Sequence, residues 1–450
     1  MAATPYGSVP SEEPHSTNPS TVRRPFQQTL AAVLARVPQG IRLGVERTRA
    51  ACGKVGRPDR DMPVLHVGGT NGKGSVASLC EAVLRRAGYR TGLFTSPHLC
   101  RFAERIRVDG VPLDEEHLSD VLTRALEIDD ALSFFETAFV AAMLAFREAK
   151  VDVAVLEVGL GGRLDATNVV ERPLVTCVTR VALDHVKQLG TTLESIAAEK
   201  AAIAKPGVPM VLGPLESSAY RVAHKLSRER GAWPVLAVGR EIVIDQADQG
   251  VVVRFDDGHV LGLRPSLPGA HQIENAAVAA AMCRLSSGSL PRVTSEHIEQ
   301  GIAEATWPGR LESLSDGLGR VLIDAAHNPD GTRSLTTYLR SVQSGWRSDA
   351  STALVFGAMD DKAWPEMLAA LVPLASHRFY VEPPGRKAAS LKNLCAQAPG
   401  APMTDLHAAM HAARDAVGSD GLVVVAGSIF LVGRVRAMLL GLPTDPAVAL

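Results

Sequence analysis

A lysine set in a glycine-rich loop, followed downstream by carboxylates and histidines at the ends of apolar segments, is the most legible chemistry in this 450-residue sequence. The stretch "VLHVGGTNGKGSVASLCEAVL", Val64 to Leu84, reads as a strand, a glycine loop and a helix. Gly68, Gly69, Gly72 and Gly74 let backbone N–H groups converge on an anion at a helix start, where the helix dipole also favours negative charge. Lys73 then serves as a point charge on the β- and γ-phosphates, with Asn71, Gly72, Gly74 and Ser75 completing the loop. Two departures from the P-loop pattern G-x-x-x-x-G-K-[ST] stand out: Val67 occupies the first glycine position, and Gly74 separates Lys73 from Ser75. The chemistry expected from this stretch alone is binding of a nucleoside triphosphate.

Further along, "FTSPHLCRFAERIRVDG" offers the Ser96 hydroxyl as a Mg²⁺ ligand, and Arg101 and Arg105 as partners for a carboxylate substrate. In "LEVGLGGRLDATN", Glu157 closes an apolar segment, where α/β sheets place their ligands and where a carboxylate commonly holds a metal ion. Gly159, Gly161 and Gly162 then form a loop carrying Arg163 and Asp165. "VALDHVKQLG" puts Asp184 and His185 at the next strand end, so Glu and His at successive strand ends point to a metal site. "LIDAAHNPDG" repeats the arrangement with Asp324, His327 and Asn328, as nucleotide or substrate contacts or, for Asn328, as a helix cap. Lys200 lies in a mainly apolar helical run beside Glu199, and its spacing alone reads as a lysine snorkelling to solvent.

These groups need a scaffold of strand ends. Apolar strand candidates ("PVLHVGG", "VDVAVLEVG", "LVTCVTRVALDH", "VPMVLG") alternate with Ala/Leu-rich helix candidates ("VASLCEAVLRRAG", "SIAAEKAAIA"), which predicts an α/β fold built on a mainly parallel sheet. Residues 240–263 change to short alternating segments with a turn at Asp256-Asp257-Gly258, read as antiparallel strands. Pro308 and Gly309 then punctuate the chain before a second strand-helix alternation. The expected organisation is a disordered tail over 1–24, a central ATP-binding domain over 25–306, a linker over 307–317 and a smaller Rossmann-like α/β domain over 318–450. A net charge of −1 without a dense Lys/Arg run argues against nucleic acid as partner. No apolar run reaches the ~20 residues that span a bilayer. Six scattered cysteines without metal-ligand spacing fit reduced thiols in a cytoplasmic protein.

In order and combination, "HVGGTNGKGS", "TSPHL", "EVGLGGRLDATN", "LDH", "EKAAIAKPG", "HQIENAA", "WPGRLE", "DAAHNPDG" and "VFGAMDDK" resemble the folylpolyglutamate synthase/dihydrofolate synthase family of the Mur ligase superfamily. The resemblance runs from about Pro38 to Arg434. It implies a P-loop-type ATPase domain, a C-terminal Rossmann-like domain and ATP bound between them. It also implies activation of a pteroate or folate carboxylate as an acyl phosphate, which the amine of L-glutamate then attacks. Carried over by position, Gly72, Lys73, Gly74 and Ser75 would hold the phosphates; Asn275, Arg310 and Asp324 would contact ATP; and Ser96, Glu157 and His185 would serve two Mg²⁺ ions. Lys73, His185 and Lys200 would be the catalytic residues. The counterpart of Lys200 is carbamylated in the family, which would turn a cation into a carboxylate-like ligand; here Ala202 stands where the family has glycine. "SFFETAF" resembles the pterin-side motif, and substrate contacts are expected at His98, Phe135, Glu136, Arg163, Leu164, Asp165, Ala166 and His327. The "RLDATN" string fits both dihydropteroate and tetrahydrofolate as acceptors, and a monomer is expected. The rival readings are another Mur-type ligase acting on a cell-wall precursor, which lacks the "TSPH" and "LGGRLDATN" loops, and a non-catalytic nucleotide-binding protein, which would lack the metal-binding side chains.

Overall fold

In a computed structural model the described residues are 25–37, 42–315, 319–343, 351–385 and 387–446. The tail expected over 1–24 lies outside them. The first sheet holds β1 (Val64–Gly68), β2 (Thr91–Phe94), β3 (Ile106–Val108), β4 (Val111–Pro112), β5 (Val153–Glu157), β6 (Val175–Val178), β7 (Met210–Leu212) and β8 (Val235–Ala237), in the order β4-β3-β2-β5-β1-β6-β7-β8. From β2 to β8 all neighbours are parallel, and β3 and β4 add an antiparallel edge.

The central strands are mainly apolar because both sheet faces are covered, with His66 in β1 and Thr176 in β6 as buried polar exceptions. Along β1 and β5, Leu65, Val67, Val153 and Val155 face one core, with the helices Lys73–Arg86, Ala270–Ser286 and Ser295–Glu304. Val64, Ala154 and Leu156 face the other, with Phe26–Leu34, Glu115–Ile128 and Phe134–Glu148. Successive residues of a strand point to opposite faces, so a two-sided core favours apolar residues at both parities of the strand.

The alternating segment forms a three-stranded antiparallel sheet of β9 (Ile242–Gln246), β10 (Val251–Phe255) and β11 (Val260–Leu263), turning at residues 256–258 as expected. The second large sheet comprises β12 (Glu312–Ser315), β13 (Arg320–Ile323), β14 (Thr352–Phe356), β15 (His377–Tyr380), β16 (Ala401–Pro402) and β17 (Leu422–Ala426), in the order β12-β13-β17-β14-β15-β16. It is parallel except for β12 at its edge. That edge strand lies within the stretch expected as a linker, where Ser-Leu-Ser and Glu carry little apolar signal.

Residues 99–102 form the seam between the two halves. Leu99 carbonyl lies 2.0 Å from where a Cβ on Gly433 would stand, so the helix Ile429–Leu440 approaches this loop only because position 433 has no side chain. Asp445 accepts from the Phe102 N–H at 2.8 Å and donates its own N–H to the Cys100 carbonyl at 2.9 Å.

Candidate active site

The parallel strands β1, β2, β5 and β6 end together on one side of the sheet, and the second domain covers that side. The resulting cleft is lined by Asn71, Gly72, Lys73, Gly74, Ser75, Ser96, Glu157, His185, Lys200 and Asn275 from the first domain. Arg310, Asp324, His327 and Lys362 line it from the other side. Every ATP, metal and catalytic candidate read from the sequence borders this one cleft.

The glycine loop is shaped by close neighbours. Gly69, at φ 141°, has Thr179 Oγ1 at 1.9 Å from an added Cβ, and Gly72, at φ 89°, has Asn275 Oδ1 at 2.4 Å. Gly74, the residue that breaks the usual motif, has the Trp307 ring at 2.8 Å. The spacing G-K-G-S is therefore the space that an indole from the domain junction requires. Lys73 opens the helix, donates to the Thr70 carbonyl at 3.1 Å and stands 4.0 Å from Glu157. Ser75 Oγ accepts from Gln272 Nε2 at 3.2 Å, and Gln272 Oε1 accepts from Asn275 Nδ2 at 2.9 Å.

Glu157, the last residue of β5, accepts the Ser96 N–H at 2.9 Å. Burial raises its pKa, with Lys73, the Ser96 N–H and Arg310 acting against that rise. His185 sits at φ 51° with its pKa pushed down to about 4, by burial first, so its imidazole is neutral with a free lone pair. The donors along this wall are a hydroxyl, a carboxylate and an imidazole, which suits Mg²⁺ or Mn²⁺. Among the described residues no group of three His, Cys, Asp or Glu could cage an ion alone. Such a sparse set fits a cation completed by phosphate oxygens and water.

Lys200 corrects its spacing-based reading. It is buried rather than snorkelling, and Nζ donates to the Gly69 carbonyl at 2.8 Å. Burial, then repulsion from Lys73, lowers its pKa to about 7.

Several expected contacts are placed elsewhere. Arg105 is fully buried and donates through Nε to His98 Nδ1 at 2.9 Å, and His98 is itself buried behind Ser96. Arg101 pairs with Glu115 and stands 3.8 Å from Asp445, at the domain seam rather than the cleft. Glu136 caps its own helix by accepting the Ser133 N–H at 2.8 Å and pairs with Arg47 at 3.0 Å. Phe135 packs tilted against Phe94, with ring centroids 5.6 Å apart, and against the backbone of Gly159. In the glycine loop after β5, Gly159, Leu160 and Gly161 line the cleft. Arg163 pairs with Glu199 at 2.9 Å, Leu164 carbonyl accepts the Gly44 N–H, and Asp165 and Ala166 are buried behind that lining. Asp324, by contrast, borders the cleft, and its carboxylate also holds the junction, accepting N–H groups of Leu311 and Ala326, each at 2.9 Å; Leu311 is at φ 46°.

The structure adds contacts that the sequence did not disclose. Asn71 donates to Asn328 and Asp330 of the second domain at 3.0 and 2.8 Å, while Asn328 also fills the capping role read for it, accepting the Gly331 N–H. Asp184 collects Lys362 at 2.5 Å, Asn328 at 3.2 Å and His327 at 3.5 Å. Burial opposes its charge, but His327, Lys362 and His185 together hold the carboxyl well below the usual range. Lys362 follows the end of β14 in "VFGAMDDK", the same kind of strand-end position as the other site residues.

The Mur ligase middle domain matches residues 67–283, and the Mur ligase glutamate ligase domain matches residues 309–429. The dihydrofolate synthase/folylpolyglutamate synthase of Bacillus subtilis is 33% identical, over 78% of this chain and 83% of that protein. The chain belongs to the folylpolyglutamate synthase/dihydrofolate synthase family. Among solved structures, Escherichia coli FolC in complex with DHPP and ADP superposes with a TM-score of 0.84 at 31% identity, covering 94% of this chain and 99% of that one. A bifunctional folylpolyglutamate synthase/dihydrofolate synthase with Mn, AMPPNP and L-glutamate bound gives 0.83 at 30% identity, covering 93% and 98%. The two large sheets of this family member thus follow a fold seen with nucleotide, and no helix among its described residues is long and apolar enough to cross a membrane.

Proposed function

We infer that this chain joins L-glutamate to the carboxylate of a pteroate or folate acceptor, with ATP cleaved to ADP and phosphate and an acyl phosphate as intermediate. The observation that carries this reading is the convergence of Lys73, Ser96, Glu157, His185 and Lys200 on one cleft closed by Arg310, Asp324 and His327. Two relatives of known structure bear ADP with DHPP and AMPPNP with L-glutamate; those ligands are the nucleotide, acceptor and amino-acid classes this cleft would take.

Attack of a carboxylate on a γ-phosphate brings two anions together. Lys73, at the mouth of the phosphate loop, offsets that charge, and the backbone N–H groups of the loop fix the phosphates in line. Ser96, Glu157 and His185 would hold the divalent cation, which when bound neutralises phosphate charge and orients its oxygens. Seating of the second domain, through Asn71 and Asp184, excludes water that would hydrolyse the acyl phosphate before the glutamate amine arrives.

Occupancy by two cations and carbamylation of Lys200 extend the same reading. A bare ammonium at Lys200 would repel a second cation. A neutral amine, supported by burial and a pKa near 7, is the form that adds CO₂ and becomes anionic. Both dihydropteroate and tetrahydrofolate are proposed acceptors. The test is purified protein with ATP, L-glutamate and each acceptor assayed side by side; absence of a glutamylated product from both would refute the assignment.

A further inference from the structure

The strand that ends in the phosphate loop carries a buried histidine for which the chemistry above has no use. His66 is the middle residue of β1, with no exposed surface, and its Nε2 lies 2.8 Å from Thr167 Oγ1. Thr167 Oγ1 is in turn 2.6 Å from Asp165 Oδ1. The Asp165 carboxylate also accepts the N–H of Thr167 at 3.0 Å and that of Leu160 at 2.9 Å.

Hydrogen positions follow from these contacts. An ionised carboxylate has only lone pairs to offer, so the Thr167 hydroxyl donates to Asp165, and its oxygen is left to accept from His66 Nε2–H. The ring is neutral: burial first, then the charge of Lys205, pushes its pKa down to about 3. Nδ1 has no hydrogen-bond partner among the described residues, so the imidazole serves one contact only. The chain His66–Thr167–Asp165–Leu160 N–H therefore runs from the centre of the sheet to a residue of the cleft wall.

The other ties of loop 159–169 lead away from β1. Arg163 pairs with Glu199, and Asn168 accepts from Lys205 Nζ at 2.8 Å, both on the segment after β6. Two residues beyond His66 the chain enters the glycine loop at Gly68 and Gly69. The ATP loop and the loop over the proposed acceptor side thus hang from one strand.

We propose that His66 is a positioning residue which, through Thr167 and Asp165, fixes the height of loop 159–169 over the cleft relative to the phosphate loop. Its role in acceptor binding rests on the functional reading above. A buried hydrogen-bond chain of this kind rigidifies what it joins, and its loss leaves the loop to one partly exposed ion pair, Arg163–Glu199, the Asn168–Lys205 hydrogen bond and the backbone bonds to Glu199 and Gly44.

Steady-state kinetics and backbone amide exchange of His66→Leu, His66→Gln and Thr167→Val test the idea. In His66→Leu the KM for the acceptor should rise about tenfold, the equivalent of roughly 1.4 kcal/mol, while the KM for ATP stays within about twofold of wild type. Amide exchange in 159–169 should accelerate while β5 and β6 keep their protection. His66→Gln, whose terminal N–H reaches a similar position, should restore both readouts, and Thr167→Val should reproduce the loss even if His66→Leu does not fold. Unchanged exchange in 159–169, or parallel rises in both KM values without rescue by glutamine, would overturn the proposal. The exchange measurement needs no substrate, so it judges the tie even if the wild type forms no glutamylated product, an outcome that would sink the functional reading instead.

Discussion

Replacing Gly74 with alanine sets two effects of opposite sign against each other. Gly74 is the second residue of the helix Lys73–Arg86, and alanine is intrinsically better than glycine in a helix by roughly 0.5–1 kcal/mol. The added methyl, however, would lie 2.8, 2.9 and 3.0 Å from Cζ2, Nε1 and Cε2 of Trp307, where ordinary carbon contacts need about 3.5 Å. The indole must retreat by about 0.7 Å. It is not free to do so: Thr306 is tied to Ser78 Oγ at 2.9 Å, and the Arg107 guanidinium stacks 5.2 Å from the ring centroid. Overpacking of this kind costs about 1–3 kcal/mol, so net of the propensity gain Gly74→Ala should destabilise by up to about 2.5 kcal/mol. Because the loop and the ring move apart together, ATP affinity should also fall, by about tenfold for each 1.4 kcal/mol lost. Denaturant unfolding and nucleotide titration of Gly74→Ala, Trp307→Leu and the double variant provide the cycle. The double variant should be less impaired than the sum of the singles, with a coupling of about 0.5–3 kcal/mol. A Gly74→Ala protein that is stabilised by the propensity gain and binds ATP normally would refute the reasoning.

Three further outcomes are expected. Lys73→Ala should abolish ATP-dependent ligation while leaving the fold intact by circular dichroism, and near-normal turnover would contradict the proposed role of this cleft-lining lysine at the phosphates. Lys362→Met leaves Asp184 buried beside weaker partners and should cost up to about 3 kcal/mol in unfolding experiments, with Lys362→Met/Asp184→Asn recovering part of that loss. Lys200 has an ordinary lysine pKa of 10.5 in the unfolded chain and about 7 when folded, so the unfolded state binds more protons between those values. In CO₂-free buffer stability should therefore gain a rising contribution from pH 7 to 10.5, absent from Lys200→Met; with bicarbonate present, gentle mass spectrometry should find one added CO₂ that is lost on acidification.

The parts of this fold that were legible in the sequence depend on near neighbours. The β1 run, the glycine loop and Lys73 lie within one local unit, whose strand-loop-helix pattern carries its own meaning. Glu157 was readable because a polar group at the end of an apolar strand is conspicuous; His185, expected at the next strand end, stands beyond β6 as the cap of the helix Val186–Leu189. Lys200 was legible only through the family resemblance, not from its spacing, because its partner, the Gly69 carbonyl, arrives from 131 positions away and nothing in the nine-residue helix announces it. The pairing of Asp184 with Lys362, 178 positions away, escaped for the same reason, although Asp184 itself was noticed at a strand end. His98, Arg105 and Glu136 show the converse: their residue types suit substrate binding, but burial and capping claim them first.

The bonds from Asn71 to Asn328 and Asp330 bear on how such proteins can be recombined. A chimera that joins the first domain of one relative to the second of another, with its junction near Trp307, inherits both sheets whole and yet divides this three-residue handshake between two parents. Compatibility across the junction is then decided by a few polar side chains facing each other over the nucleotide cleft rather than by overall identity. Exchanging position 71 together with 328 and 330 should rescue chimeras that fold but do not turn over.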